Sequence, residues 1–484
     1  MSARRRTART STGRIPPERR VFCNRTLNLR SIRAIGYDLD YTLLHYKVEE
    51  WERTSFSHLQ RKLAARNWPV EQVAFDPQAY QLGLIIDRQL GNIVKANQFG
   101  YIKRGLHGTR PLDFERLREV YAETIVDMPD PRFVLLNTLF SHSEANMYAQ
   151  LVDLLDERKL GGTLGYNELY GEMKAALDET HMEGQLKAEI AAAPERFVDL
   201  DPETPHALLD QRQAGHKLVL VTNSDWTHTH RMLSYAFDRF LPQGMTWREL
   251  FDIVLVSARK PAFFTQEQPA FQIVDEAGML QPLARRPAPP ALLLGGHAGL
   301  VEAMLGLRGS QILYVGDHAY ADVHISKKLR RWRTALVIRE IEEEIRAQDD
   351  FRTQQVELER HMARKERLER RMARQRLALQ RRRHRRPPLR QPRTRASESA
   401  LEATRRELHA LDNELAPLAI ASGQLFSRRW GLLMRSGNDK SYLARMVERH
   451  ADIYTSRVSN LVQATPYAYF RARRGPMPHD ELVG

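Results

Sequence analysis

The strongest constraint on this chain is a set of short apolar runs, each ending in polar residues: "IRAIGYDLD", "HKLVLVTNS", "FDIVLVSARK", "QILYVGDH" and "RTALVI". They are continuously aliphatic and β-branched rather than alternating, as strands buried on both faces of a parallel sheet are. Helix-length segments separate them, so the pattern predicts an α/β fold with a doubly wound parallel sheet. In such sheets ligands sit beyond the carboxyl ends of the strands. The residues at those ends are Asp38 and Asp40, Thr222 and Asn223, Lys260, and Asp317. The fold would gather them at one edge from positions far apart in the sequence.

The stretch from Asp40 to Thr222 is far longer than a normal crossover. It predicts an inserted domain that leaves beside the site and lies over it as a cap. The expected organisation is a basic disordered tail over 1–26, a core over 27–45 and 206–340, and a cap that recognises substrate over 46–205. A charged helical hairpin over 341–425 and a C-terminal segment over 426–484, packing back on the core, complete it. Within the hairpin a helix is expected from Ile341 to about Leu379. It is followed by the Arg- and Pro-rich break "RRRHRRPPLRQPRTRAS", expected to be disordered, and by a second helix with Leu401, Leu408, Leu411 and Leu415.

The formal charge of +14 resembles a nucleic-acid signal, but its distribution argues otherwise. Residues 1–20 carry +6 and residues 361–390 carry +11, which leaves −3 for the rest of the chain. The basic segment has no aromatic residue between His361 and Arg390 on which a base could stack. A solvated loop is therefore expected there, rather than RNA binding. A single cysteine, Cys23, excludes an internal disulfide framework. No apolar run is long enough to span a membrane, and no apolar core follows the basic N-terminus as in a secretory signal. A cytoplasmic location is expected.

Two carboxylates one residue apart at a strand end, Asp38 and Asp40, could bind a metal, transfer protons, or cap the next helix. Further features bear on the choice. "VTNS" adds a hydroxyl and an amide, "ARKP" adds a cation, and "VGDHAYADV" adds Asp317 and Asp322. Carboxylates suit a hard cation such as Mg²⁺. Lysine with hydroxyl and amide donors suits the oxygens of a transferring phosphoryl group.

The D-x-D-x-T at Asp38, Asp40 and Thr42, followed by Thr222, Lys260 and the Asp317/Asp322 pair, resembles the four motifs of the haloacid dehalogenase superfamily. "RQLGNIVKANQFGYIKRGLHG", "RFVLLNTLFSHSEA", "WRELFDIVLVSARKPAFF" and "ARMVERHADIYTSRVSNLVQATPYAYFRARRGPMPHDEL" further resemble the cytosolic purine 5′-nucleotidase family, from about residue 27 to the C-terminus. The resemblance implies that Asp38 is the nucleophile, Asp40 the acid and base, and that Lys260 neutralises the phosphoryl oxygens. It implies Mg²⁺ held by Asp38, the Asp40 carbonyl and Asp317, with Asp322 orienting that shell. Thr222, Asn223 and Lys187 would bind phosphate. In the cap, Phe140 would stack on the base, while Lys174, Asp178 and His181 would read it. Lys174 stands where the family's purine enzymes have Arg, Ser141 replaces an Asn, and Met182 replaces a Tyr. Without the resemblance, Phe140 reads as core and Lys174 with Asp178 as a surface ion pair. The implied activity is hydrolysis of nucleoside monophosphates such as IMP or GMP, with phosphotransfer to a nucleoside as a side activity, in a homo-oligomer; the alternatives are a phosphatase of another small phosphomonoester and a non-catalytic nucleotide- or RNA-binding relative.

Other features read plainly. His228 and His230 in "DWTHTHRM" are expected on a solvated first helical turn. "LGGHAGLVEAMLG" lacks the G-K-[ST] of a phosphate loop, so it is expected to be a connecting loop. His318, beside Asp317, would lie near the metal in a supporting position.

Overall fold

The computed structural model describes residues 15–161, 164–182, 184–283, 285–387, 397–473 and 475. The chain forms two compact units, Met1–Glu342 with Leu433–Gly484, and Glu343–Leu432.

The first unit is built on a ten-stranded sheet. Seven of its strands run parallel: β1 (Ala34–Tyr37), β2 (Lys217–Val221), β3 (Ile253–Val256), β4 (Ala291–Gly295), β5 (Ile312–Gly316), β6 (Arg333–Val337) and β7 (Ile453–Thr455). Their order is β7-β6-β5-β1-β2-β3-β4, so the winding reverses at β1. All four residues of β1 and of β3 are buried, as the continuous apolar runs require. Register aligns the carboxyl ends: Tyr37 stands opposite both Val315 and Leu220, and Val221 opposite Leu255. The Asp38 amide continues the ladder to the Val315 carbonyl at 2.9 Å. The core beneath includes Val219, Leu255, Phe263, Phe264, Tyr314 and Trp332.

Several strands differ from the sequence expectation. "LGGHAGLVEAMLG", expected as a loop, begins with the end of the central-sheet strand β4 and continues into a helix over Ala298–Leu305. Antiparallel strands Ala270–Ile273 and Leu280–Pro282 extend the sheet beyond it. Phe22–Cys23, within the expected disordered tail, pairs antiparallel with β7. The Asn24 and Arg25 amides also bind the Asp452 carbonyl. Residues 1–14 of that expected tail lie outside the described residues.

Between β1 and β2 the chain forms a separate antiparallel sheet of five strands: Arg110–Pro111, Ile102–His107, Asn92–Ala96, Ile85–Asp87 and Phe133–Leu135. It also forms helices α1 (Val48–Ala65), α2 (His142–Asp156), α3 (Tyr166–Met182) and α4 (Gln185–Ala192). Helix α5 (Trp226–Phe237) follows β2.

The second unit contains helices α6 (Arg352–Arg383) and α7 (Glu398–Gly423). Leu368, Leu408, Leu411 and Leu415 form its buried seam, with Leu358 and Met372 packed against it. Arg364 and Arg371 pair with Glu407, and Lys365 with Asp412. Helix α6 starts after a break at Phe351 and runs four residues past Leu379, into the arginine run. Residues 388–396, the rest of the expected disordered tip, lie outside the described residues.

Candidate active site

The carboxyl ends of β1, β3 and β5 deliver one buried charge cluster. Asp38 follows β1, and its Oδ1 accepts the Leu39 amide hydrogen at 2.8 Å, which fixes the plane of the carboxyl group. Lys260, from the loop after β3, places Nζ 2.6 Å from the same oxygen and 2.9 Å from Asp322 Oδ1. The second contact is an ion pair without hydrogen-bond geometry: among the described residues Asp322 Oδ1 has no hydrogen-bond partner, although its residue is 1% exposed. Single carboxylate oxygens of Asp38, Asp317 and Asp322 all lie within 4.8 Å of one another.

Asp322 reaches this point because a wide helical turn over Ala319–His324 brings it back against the strand end. The His318 amide donates to its Oδ2 at 3.2 Å. A Cβ on Gly316 would stand 2.5 Å from that oxygen, so the approach requires glycine. His318 Nδ1 accepts the Ala321 amide hydrogen at 3.0 Å and caps the same turn.

Two buried carboxylates, Asp38 and Asp322, share one ammonium with the half-buried Asp317 beside them, and the electrostatics show the excess. Burial pushes the Asp38 carboxyl up to about 7, with Lys260 opposing and Asp322 adding to the rise. Burial and the charges of Asp38 and Asp322 also raise Asp317 well above the ordinary range. Burial works against the Lys260 ammonium, but Asp322 and Asp38 hold it charged. An all-oxygen donor set and surplus negative charge together fit a hard divalent cation.

Asp40 points elsewhere. Its Oδ1 accepts the Tyr46 hydroxyl at 2.6 Å and its Oδ2 accepts the Ser224 hydroxyl at 2.6 Å. Burial raises its pKa, but the neighbouring His228, the Lys187 ammonium and the Ser224 hydrogen bond outweigh that and hold it below the usual carboxylate range. The Asp40 side chain thus stands apart from the carboxylates of Asp38, Asp317 and Asp322, and the metal contact expected of Asp40 was its backbone carbonyl. Lys187, from α4, donates to Ser224 Oγ at 3.2 Å and so reaches the Asp40 side of the site.

Thr222 is fully buried, and its Oγ1 accepts the Ser224 amide at 2.9 Å. Asn223 Oδ1 accepts the Lys260 amide at 2.6 Å, while its Nδ2 donates to the Lys260 carbonyl at 3.2 Å. Its amide braces the backbone of the lysine rather than facing the carboxylates.

His228 is a correction to the sequence reading. Expected on a solvated turn, it is 3% exposed, with Nε2 3.6 Å from Asp40 Oδ1. The strand residue Tyr46 covers it, and no local pattern in "DWTHTHRM" announces that contact. His230 stacks on Trp226 at 5.0 Å instead.

Phe140 is half-buried, with its ring 4.6 Å from Tyr41 and 5.3 Å from Trp51. Two residues earlier, Thr138 Oγ1 lies 3.5 Å from Asp317 Oδ2, so this segment borders the cluster. Lys174 pairs with Glu144 at 3.3 Å and Asp178 at 3.1 Å. The His181 side chain lies outside the described residues.

The family model described as the 5′ nucleotidase family matches residues 21–482. The human 5′-nucleotidase domain-containing protein 2 is 25% identical, over 98% of this chain and 88% of its own. A 5′-nucleotidase domain-containing protein of Dictyostelium discoideum is 24% identical, over 95% of this chain and 74% of its own. A solved archaeal beta-phosphoglucomutase from a Pyrococcus strain matches 63% of this chain and 86% of its own with 9% identity and a TM-score of 0.31, too slight a likeness to carry an argument. The matches define the class: the chain is a phosphomonoester hydrolase. It belongs to the 5′ nucleotidase family, in the cytosolic branch of haloacid dehalogenase type.

Proposed function

We propose that this protein is a Mg²⁺-dependent cytoplasmic 5′-nucleotidase that hydrolyses nucleoside monophosphates, with 6-oxopurines such as IMP and GMP preferred. The observation that supports it most is Lys260 held between Asp38 and Asp322 at 2.6 and 2.9 Å, with Asp317 in the same cluster. Asp38, Asp317 and Asp322 would hold the ion, with the Asp40 carbonyl. When bound, Mg²⁺ supplies charge neutralisation for phosphoryl oxygens and for the crowded carboxylates.

Asp38 attacks phosphorus, forming an O–P bond as the bond to the nucleoside oxygen breaks. Asp40, a carboxylate in the free site, takes up a proton as the substrate phosphate binds, gives it to that leaving oxygen and returns to the carboxylate. Water then attacks the aspartyl-phosphate, its proton passes to Asp40, and Asp38 is regenerated with release of phosphate. A nucleoside hydroxyl in place of water gives phosphotransfer. Lys260 offsets the charge of the phosphoryl oxygens, with Thr222 and Lys187 as further donors and Asn223 holding Lys260 in place. The segment over 46–205 serves as the cap of a haloacid dehalogenase core, and Phe140, Lys174, Asp178 and His181 serve the base. The active form is a homo-oligomer, and the basic insert is a solvated appendage without a nucleic-acid partner.

A second reading has its own support. Phe140 is packed edge-on against Tyr41, and Lys174 is already paired with Glu144 and Asp178. These contacts suit a phosphatase of another small phosphomonoester. Hydrolysis of IMP, GMP, AMP, CMP, UMP and a panel of sugar phosphates with Mg²⁺ separates the two. A preference for IMP and GMP is expected. Equal rates on all nucleotides, with a faster sugar phosphate, would establish the second reading.

A further inference from the structure

Helix α5 opens on Asp225, whose carboxylate accepts the His228 amide hydrogen at 2.9 Å. That cap fixes the first turn and points the imidazole inward. Nε2 lies 3.3 Å from the Tyr46 hydroxyl, and Nδ1 is buried with no hydrogen-bond partner among the described residues. The Tyr46 hydroxyl gives its hydrogen to Asp40 Oδ1, so its oxygen lone pairs are left to face Nε2. One arrangement satisfies every contact: Nε2–H donates to the Tyr46 oxygen, and Tyr46 O–H donates to Asp40. The other tautomer would bury an N–H with no acceptor, which costs more. Ser224 holds the second oxygen of the same carboxyl group. The separation of 3.6 Å between Nε2 and Asp40 is too long for direct donation, so His228 acts through Tyr46.

We propose that His228 is a positioning residue for the proton transfer at Asp40: through the Tyr46 hydroxyl it fixes the orientation of the carboxyl group that protonates the leaving oxygen. The proposal rests on the reading of Asp40 as acid and base. A carboxyl group free to turn about its χ angles spends less time aimed at the leaving oxygen, and general acid catalysis depends on that aim.

Leaving-group dependence separates this role from a merely structural one. A nucleoside alkoxide needs a proton as it departs, whereas p-nitrophenolate leaves readily without one. kcat/KM reports the steps through phosphoryl transfer to Asp38 and excludes the later hydrolysis of the phosphoenzyme. His228→Ala and Tyr46→Phe should each lower kcat/KM for a nucleoside monophosphate about tenfold, part of the roughly 10²–10⁴-fold that general acid catalysis contributes. For p-nitrophenyl phosphate the change should stay within about threefold. His228→Gln, which keeps an N–H near the Nε2 position, should recover most of the nucleotide activity. Asp40→Asn is the reference and should show the largest selective loss. If Asp40→Asn is selective but the His228 and Tyr46 variants slow both substrates equally, or neither, the positioning role is wrong and the reading of Asp40 stands. If Asp40→Asn itself slows both alike, the reading of Asp40 fails and the proposal falls with it.

Discussion

At the scale of single residues, the groups the sequence revealed are those whose chemistry is local to a strand end. Asp38, Lys260 and Asp317 end apolar runs, and that position alone sends them to one edge. His228 was hidden because its burial is created by Tyr46, 182 positions away. Asn223 was legible as a site residue, but its attachment to the Lys260 backbone depends on a neighbouring loop. Glu52 was equally hidden: it is a charged residue on α1, yet it is fully buried. Burial pushes its carboxyl up to about 8; the Ser143 amide works against the rise and Glu144 adds to it. The folded state therefore keeps a proton that the unfolded chain loses near the ordinary glutamate pKa. Stability from this group is present at low pH and is lost as pH rises toward 8. Glu52→Gln should match wild type near pH 5 and exceed it by up to about 3 kcal/mol near pH 8, since each tenfold change in proton affinity is worth about 1.4 kcal/mol. Urea unfolding at the two pH values checks this; an equal decline with pH in the variant would contradict it.

At the scale of elements, strands with continuous apolar runs were readable and marginal ones were not. β7 has three residues, and β4 ends in the glycine pair that reads as a loop. Their pairing with the sheet, not their composition, makes them strands. The wide turn after β5 was also invisible, since "DHAYADVHIS" carries no signal for a widened helix. The glycine before it exposes its demand. Gly316→Ala would press a methyl into Asp322, and neither the carboxylate nor the turn can retreat without releasing Lys260. We expect a loss of activity of at least tenfold and a weaker response to added Mg²⁺, measured as the Mg²⁺ concentration at half-maximal rate. Unchanged Mg²⁺ dependence would mean that Asp322 is not part of the ion's surroundings.

At the scale of the whole molecule, the sequence divided the chain by composition. The change from apolar runs to charged helix near Ile341 falls close to the start of the second unit at Glu343. The seam leucines Leu408, Leu411 and Leu415 were visible as helix periodicity. The separate five-stranded sheet was not foreseen, because its strands are short and interrupted by turns. The basic insert stands apart from the carboxylate cluster in sequence and in unit. Deleting residues 381–396 should leave kcat/KM for a nucleotide within about threefold. It should also abolish any salt-sensitive binding of RNA, since such binding follows the number of phosphates neutralised. A large loss of turnover would show that this segment serves the site.

The central claim is that Asp38 carries the phosphoryl group. The direct measurement is acid quenching of the protein during turnover of a phosphate-labelled nucleoside monophosphate with Mg²⁺, followed by peptide mapping. The account predicts label on the peptide containing Asp38, released by hydroxylamine as an acyl-phosphate is, and absent from Asp38→Asn, which should have almost no turnover. Label on another residue, or near wild-type hydrolysis by Asp38→Asn, would contradict it.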